Sequence, residues 1–227
     1  MVNNLGSLNM NNYNYHPSAG RVNGLMYLIE NLLDQDIQFN VIKRLRGEVD
    51  QHENIVYGFG GAEPDRFLIA FSSQGLCWFE PHPDEGASER LLRHWMPATV
   101  IRDDRQAQQQ LHNLLNSPAK SPNLHLCGTA FQLRVWEALL CVPRGGRVTY
   151  GDLAAMLGNR KAARALGGAV GANPIAVLVP CHRVVPAAGG IGSYRWGSAL
   201  KQRLLDKEAH NHYPQLQPSS SVHLQAC

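Results

Sequence analysis

No C-x-x-C pair occurs in this 227-residue sequence, although it has five cysteines. Cys77, Cys127, Cys141, Cys181 and Cys227 stand 50, 14, 40 and 46 positions apart. That spacing excludes a zinc ribbon and a thioredoxin-type redox pair. The N-terminal stretch MVNNLGSLNMNNYNYHPSAG lacks the apolar core of a secretory signal. With an odd number of cysteines, this predicts free thiols in a reducing, cytoplasmic compartment. Long apolar runs are missing too. None approaches the ~18 residues of a membrane span, so no membrane partner is expected. There is no internal repeat. Charged residues make up only 17% of the chain against 44% hydrophobic, as in an ordinary globular protein.

Charge is present but uneven. Residues 1–128 carry 10 Lys/Arg against 14 Asp/Glu, whereas residues 129–209 carry 11 against 4. A basic segment beside an acidic one points to a polyanionic partner for the basic part.

Residues 1–50 are unassigned. Residues 1–20 read as disordered, and Leu25, Leu28, Ile29, Leu32 and Leu33 predict a helix over 22–35. From Ile55 the runs IVYGFG, FLIAFSS and LCWFEP predict a strand meander, and residues 87–96 and 104–116 read as helices. Residues 51–120 thus form a small α+β domain, with the proline-marked SPAKSP as linker. Residues 125–210 form a second, helix-rich domain, and 211–227 a tail. Thr129 caps one helix and Thr149 the next, TYGDLAAMLG. After a Gly158-Asn159 turn, RKAARALGGAVGAN is a helix of small residues and bases. Helix, short turn, helix is the helix-turn-helix pattern.

That last helix offers little area to bury, and each glycine costs about 1 kcal/mol of helix propensity. Its small residues, Ala162, Ala163 and Gly167 among them, serve either tight internal packing or close approach to an outside surface. Arg164 is the long side chain projecting from it. The Asn, Gln and Arg array that reads a major groove is missing.

The stretch VLVPCHRVV, residues 177–185, is apolar at five of nine positions and reads as a buried strand ending at Pro180 and presenting Cys181. A nucleophilic thiol needs a neighbouring base or cation to become thiolate. His182 is adjacent, but neighbours on a flat strand face opposite ways. At a turn, or through a water, the two could communicate. Asp206 and Glu208 are the late carboxylates available to orient the imidazole. The loop PAAGGIGSYRWG could wall a pocket for a flat aromatic group or simply cover the core.

The run P-C-H-R-V-V, preceded by AARALGGAVGANP and followed by G-x-G-S-Y-R-W-G, resembles the O6-alkylguanine-DNA alkyltransferase family. The GSYRWG and GTAFQ segments resemble the catalytic half of its Ada-type members. The resemblance spans about residues 127–209 and, more loosely, 53–120. It implies an α+β fold with a small ribonuclease-H-like domain followed by a helical, winged helix-turn-helix-like alkyltransferase domain. It also implies direct-reversal repair: one irreversible transfer of an alkyl group from O6-alkylguanine, or O4-alkylthymine, to the protein's own cysteine. The expected partner is double-stranded DNA carrying that lesion, bound in the minor groove by a monomer, with no cofactor and no metal. Cys77, Cys127 and the scattered histidines show no ligand spacing.

The roles follow from the matched positions. Cys181 accepts the alkyl group, His182 deprotonates it through a water, and Glu208 orients His182. Asn173 is the hinge between recognition helix and active-site turn. Arg164 fills the gap left by a flipped nucleotide, and Tyr150 helps rotate the target and polarises the base. Thr149, Ala162, Ala163 and Gly167 face DNA. Ser193, Tyr194, Trp196 and Val184 line the substrate pocket. Trp196 stands where some members have a small residue, which predicts a pocket that takes methyl well and benzyl poorly. Two other readings share some of these residues. A non-catalytic damaged-DNA-binding regulator would lack the acceptor cysteine. A Cys-His hydrolase would not need a basic helix of small residues.

Overall fold

The β-branched and aromatic runs form strands because each side chain finds a packed neighbour on the pleated surface. Strands β2 (Asn54–Gly60), β3 (Phe67–Ser72) and β4 (Gly75–Pro81) pair antiparallel in a meander. The computed structural model describes residues 24–34, 39–48, 52–62, 65–95, 98–116 and 122–210. Expectations for residues 1–20, for most of the SPAKSP linker and for the tail after 210 lie outside the described residues.

Three more strands add in parallel: β1 (Asn40–Leu45), β5 (Thr99–Arg102) and β6 (Asn123–Gly128). The sheet order is β1-β6-β4-β3-β2-β5. Every residue of β3 is buried, as in a strand covered on both faces. Its side chains alternate between two cores: Phe67, Ile69 and Phe71 belong to one, Leu68 and Ala70 to the other. The second core is closed by Leu92 of α2 (Glu85–Trp95). The first gathers the leucine face of α1 (Gly24–Asp34), Ala107 and Leu111 of α3 (Asp104–Asn116), and the interior of the helical half. The result is a mixed α+β architecture.

Two segments sit differently from what composition suggests. β1, in the stretch left unassigned by sequence, is an edge strand of the sheet. β6, beyond the proline linker, returns to the sheet and inserts between β1 and β4. The linker therefore separates the halves in sequence while β6 keeps them joined in space.

In the second half, α4 (Ala130–Leu140) starts at a Thr129–Gln132 capping box and α5 (Tyr150–Met156) at a Thr149–Asp152 box. Such reciprocal bonds satisfy N–H groups that the first helical turn leaves without partners. A 3-10 turn (Arg160–Ala162) leads into α6 (Ala163–Gly171), and α7 spans Ser198–His210. The Trp136 indole of α4 is fully buried and donates to Ala169 O of α6 at 2.9 Å. Gly128 makes room for it, since a Cβ there would lie 2.8 Å from the ring. Two short strands, β7 (Val148–Thr149) and β8 (Val184–Val185), pair in parallel. No helix among the described residues is long and apolar enough to cross a membrane.

The stretch 177–185 departs from the strand that its composition predicts. It is buried as expected, with Val177, Val179 and Val184 at most 1% exposed. Yet only Ile175 makes a bridge to a strand, at Phe79, and Val184–Val185 form the short β8. Val177 takes a φ of +67°, and Cys181–Arg183 form a 3-10 turn. The reason is a side chain. Asn173 Nδ2 donates to Ile175 O and Val179 O, and Asn173 Oδ1 accepts from Ile175 N. A fully buried amide does here what a neighbouring strand would do, so the backbone is free to curl.

Candidate active site

Cys181 lies at the start of that 3-10 turn, 5% exposed. Its sulfur lies 3.1 Å from Asn173 Nδ2 and accepts from it, sharing the amide's two hydrogens with Ile175 O and Val179 O. Burial pushes the thiol above its ordinary pKa. Asn173, Tyr194 and the Lys201 ammonium pull the other way without cancelling it. The resting group is therefore a thiol at neutral pH, and its proton must be removed during any reaction. The Tyr194 hydroxyl is buried close enough to Cys181 to tune it, although outside ordinary hydrogen-bond geometry.

His182 is fully buried. Its Nε2 meets Glu208 Oε1 at 3.0 Å, while Nδ1 is buried with no protein partner. Burial lowers the imidazole pKa, and the Glu208 carboxylate only partly restores it. His182 is thus neutral near pH 7, as a base must be. For Glu208 the balance is opposite. Burial raises its carboxyl, but hydrogen bonds from His182 and Arg183 outweigh this and hold it at about 2. Arg183 grips it with Nε at 3.0 Å from Oε2 and Nη2 at 2.7 Å from Oε1, and Gly145 N–H adds a bond at 3.3 Å.

Burial raises the pKa of Tyr150, the first residue of α5, and a thiolate at nearby Cys181 would raise it further. It remains a hydroxyl donor at neutral pH. Cys181, Asn173, His182, Glu208 and Tyr150 are thus assembled around one thiol from four separate segments. The pocket-loop residues are placed less uniformly. Trp196 packs edge to face on Tyr194 with centroids 5.1 Å apart. Ser193 has an exposed side chain and presents its carbonyl to Lys201. Val184 is fully buried in the core beneath.

On the outside, α6 exposes Arg164, Ala165, Gly168 and Gly171 along one face, with Leu166, Ala169 and Val170 turned inward. A Cβ added at Gly168 or Gly171 would meet nothing within 4 Å, and one at Gly167 only the Tyr150 ring at 4.0 Å. Internal packing therefore does not explain the outward glycines. Ala162 and Ala163 lie where the 3-10 turn becomes α6, and Thr149 is the exposed-end cap of α5.

Residues 130–210 match the family described as 6-O-methylguanine DNA methyltransferase, DNA binding domain. The bifunctional transcriptional activator/DNA repair enzyme Ada of Escherichia coli K12 is 37% identical over 162 residues, 68% of this chain and 46% of that protein. The methylated-DNA–protein-cysteine methyltransferase of Mycobacterium leprae is 51% identical over 87 residues, 38% of this chain and 53% of its own. The crystal structure of the Mycobacterium tuberculosis O6-methylguanine methyltransferase superposes with a TM-score of 0.53 at 30% identity, covering 71% of this chain and 96% of that one. This chain belongs to the O6-methylguanine-DNA methyltransferase family. It spans about half the length of the curated relatives it matches.

Two further charged residues stand at this candidate site, Arg183 and Lys201. Arg183 carries no sequence signal beyond following His182, yet it is an ion partner of Glu208. Lys201 is 1% exposed and donates to Val184 O at 2.7 Å, tying α7 to the turn after Cys181. A lysine inside the otherwise apolar spacing of Leu200, Leu204 and Leu205 was the available signal. Among the described residues, no group of three or more His, Cys, Asp or Glu is placed to hold a metal ion.

Proposed function

We propose that this protein repairs alkylated DNA directly, transferring a methyl or other alkyl group from O6-alkylguanine, and from O4-alkylthymine, to Cys181 in a single irreversible turnover. The observation that carries this reading is the His182 imidazole. It is anchored by Glu208 on one nitrogen and buried without a partner on the other, next to a buried thiol. On this reading His182 Nδ1 takes the Cys181 proton through a bridging water. The thiolate attacks the alkyl carbon, the S–C bond forms, and the C–O6 bond breaks with its electron pair passing to guanine. Tyr150 stabilises the charge developing on the base by hydrogen bonding, and the base takes up a proton to leave neutral guanine. Asn173 holds the sulfur in place throughout. The product is a stable thioether, so the protein is consumed, and no cofactor takes part.

The attacked carbon is inside a duplex, so the nucleotide must be flipped out at a cost of a few kcal/mol. Arg164, exposed on α6, offsets part of this by filling the gap. We assign α5, the 3-10 turn and α6 to a helix-turn-helix unit, with β7–β8 as its wing. The outward glycines let its backbone approach a minor groove, with Thr149, Ala162 and Ala163 nearby. Contacts of this kind are to the DNA backbone, so affinity falls steeply with salt. The six-stranded sheet is assigned as a ribonuclease-H-like domain. Domains of 51–120 and 125–210, a monomeric state and a cytoplasmic location complete the reading. Mixing the protein with a duplex carrying one O6-methylguanine and measuring intact mass tests it. A gain of about 14 Da on Cys181, absent in Cys181→Ala, is expected for thiol alkylation. Tight binding without any gain would leave only damage recognition.

A further inference from the structure

The wall of the proposed acceptor pocket is anchored from the sheet. On β4, Trp78 Nε1 donates to Glu80 Oε2 at 3.1 Å, and the other Glu80 oxygen faces Arg195 Nη2 at 3.5 Å. The Arg195 guanidinium lies 5.7 Å from the Trp78 ring centroid and 5.3 Å from that of Trp196, within cation–π range of both. One carboxylate and two indoles thus hold it. Trp196 leans on Tyr194, whose hydroxyl sits beside Cys181. The contacts run from the sheet through Arg195 and Trp196 to Tyr194, whose buried hydroxyl acts electrostatically on Cys181.

Beside Trp196, and lined in part by it, is an open cleft of about 450 Å³ whose walls include Glu80, His82, Asp84, Leu91 and Arg195. It is roomy enough to take an indole ring. The Trp196 Nε1 is buried with no acceptor, so its present position is not fixed by a bond of its own. His82, on the cleft wall, has a φ of +48°, uncommon for a side chain with a Cβ.

We propose that Glu80 is a positioning residue that sets the size of the alkyl group Cys181 accepts. Through Arg195 it holds Trp196 forward, out of the cleft and against Tyr194. Without the carboxylate charge, Arg195 is released, Trp196 withdraws into the cleft, and the pocket widens. This rests on the reading of Cys181 as alkyl acceptor. It assigns to the sheet a part in substrate selection that neither the acceptor turn nor α6 carries.

Glu80→Gln removes the charge but keeps the volume and an acceptor for Trp78. The full chain would be reacted with two duplexes, one carrying a single O6-methylguanine and the other a single O6-benzylguanine. The rate of mass gain on Cys181 is read for each. The ratio of benzyl to methyl rates should rise about tenfold in Glu80→Gln, the scale of discrimination by pocket size. It should return toward the starting value in the charge-reversed pair Glu80→Arg with Arg195→Glu. Arg195→Gln breaks the same pair from the other side and serves if Glu80→Gln fails to fold. A merely structural Glu80 would slow both reactions alike and leave the ratio unmoved, which would overturn the proposal. If the unaltered protein gains mass from neither duplex, the acceptor reading falls and this inference with it. If it gains mass and the ratio stays fixed in both variants, only the inference falls.

Discussion

Cys77 and Cys181 are both buried thiols, and burial raises the pKa of both. They differ in what surrounds them. Cys77, on β4, donates to Ala70 O across the ladder, and the nearby Glu53 charge raises it further. Backbone hydrogen bonds at Cys77 and Ser72 offset that rise only in part, and the sulfur donates at an irregularity of the β3–β4 ladder, between the Ala70–Trp78 and Phe71–Leu76 pairs. Cys181 accepts from Asn173, feels the Lys201 ammonium, and stands in a turn beside a neutral imidazole and two tyrosine hydroxyls. Burial alone makes a cysteine inert. A base within reach and donors aimed at the sulfur make it usable. The difference lies in the elements that deliver those groups: the imidazole, the side-chain amide and the ammonium around Cys181 come from its own turn, the segment just after α6, and α7.

The sharpest way to break this comparison is to exchange the acceptors. Cys181→Ala should lose all mass gain from methylated duplex, while Cys77→Ala keeps it, with only the stability loss of a core truncation. Alkylation found on Cys77 would end the argument. Next comes the relay. Glu208→Gln should slow transfer by about 10²–10⁴-fold, the range for loss of an effective general base. With Glu208 intact, the acid limb of the rate should lie below about pH 6.5, the ordinary histidine value, because burial lowers His182. The same carboxyl contributes to stability with a definite sign. Its folded value of about 2 lies below the ordinary ~4.3, so its stabilisation is present above about pH 4.3 and lost as pH falls through about 2. Denaturant midpoints of Glu208→Gln should be flatter across that window.

A smaller effect is expected at the hinge. Asn173→Ala removes bonds to two carbonyls, one backbone N–H and the thiol. At ~1 kcal/mol for each hydrogen bond, urea unfolding should show a loss of about 3–4 kcal/mol. The smallest change separates DNA contact from folding. Gly168→Ala should raise stability by about 0.5–1 kcal/mol, since the position is helical and opens to empty space. Its affinity for duplex DNA should nevertheless fall in a titration. Equal or tighter binding would remove the reason for the glycine face.

The two capped helices and the strand meander were legible in the residues themselves. Thr129 and Thr149 announce helix starts through local hydrogen bonds, and alternating apolar runs announce a sheet. The P-C-H-R run stood out because nothing in an apolar stretch calls for an imidazole. What sequence could not decide was how separated segments meet. Edge strand β1 gives a weak signal, because its pattern is half-exposed and its partner β6 lies about 80 residues further on. The curl of 177–185 was hidden because Asn173 acts through side-chain bonds to backbone several residues away, and composition records only burial. Arg183, Lys201 and Glu80 needed the folded chain for the same reason. A charged side chain inside a protein takes its meaning from its partner, and here the partners come from α7, the turn after Cys181 and the pocket loop. Local propensity and apolar periodicity were set by the sequence by itself. The pairing of buried charges, and with it the chemistry of Cys181, was decided only when tertiary packing excluded water from them.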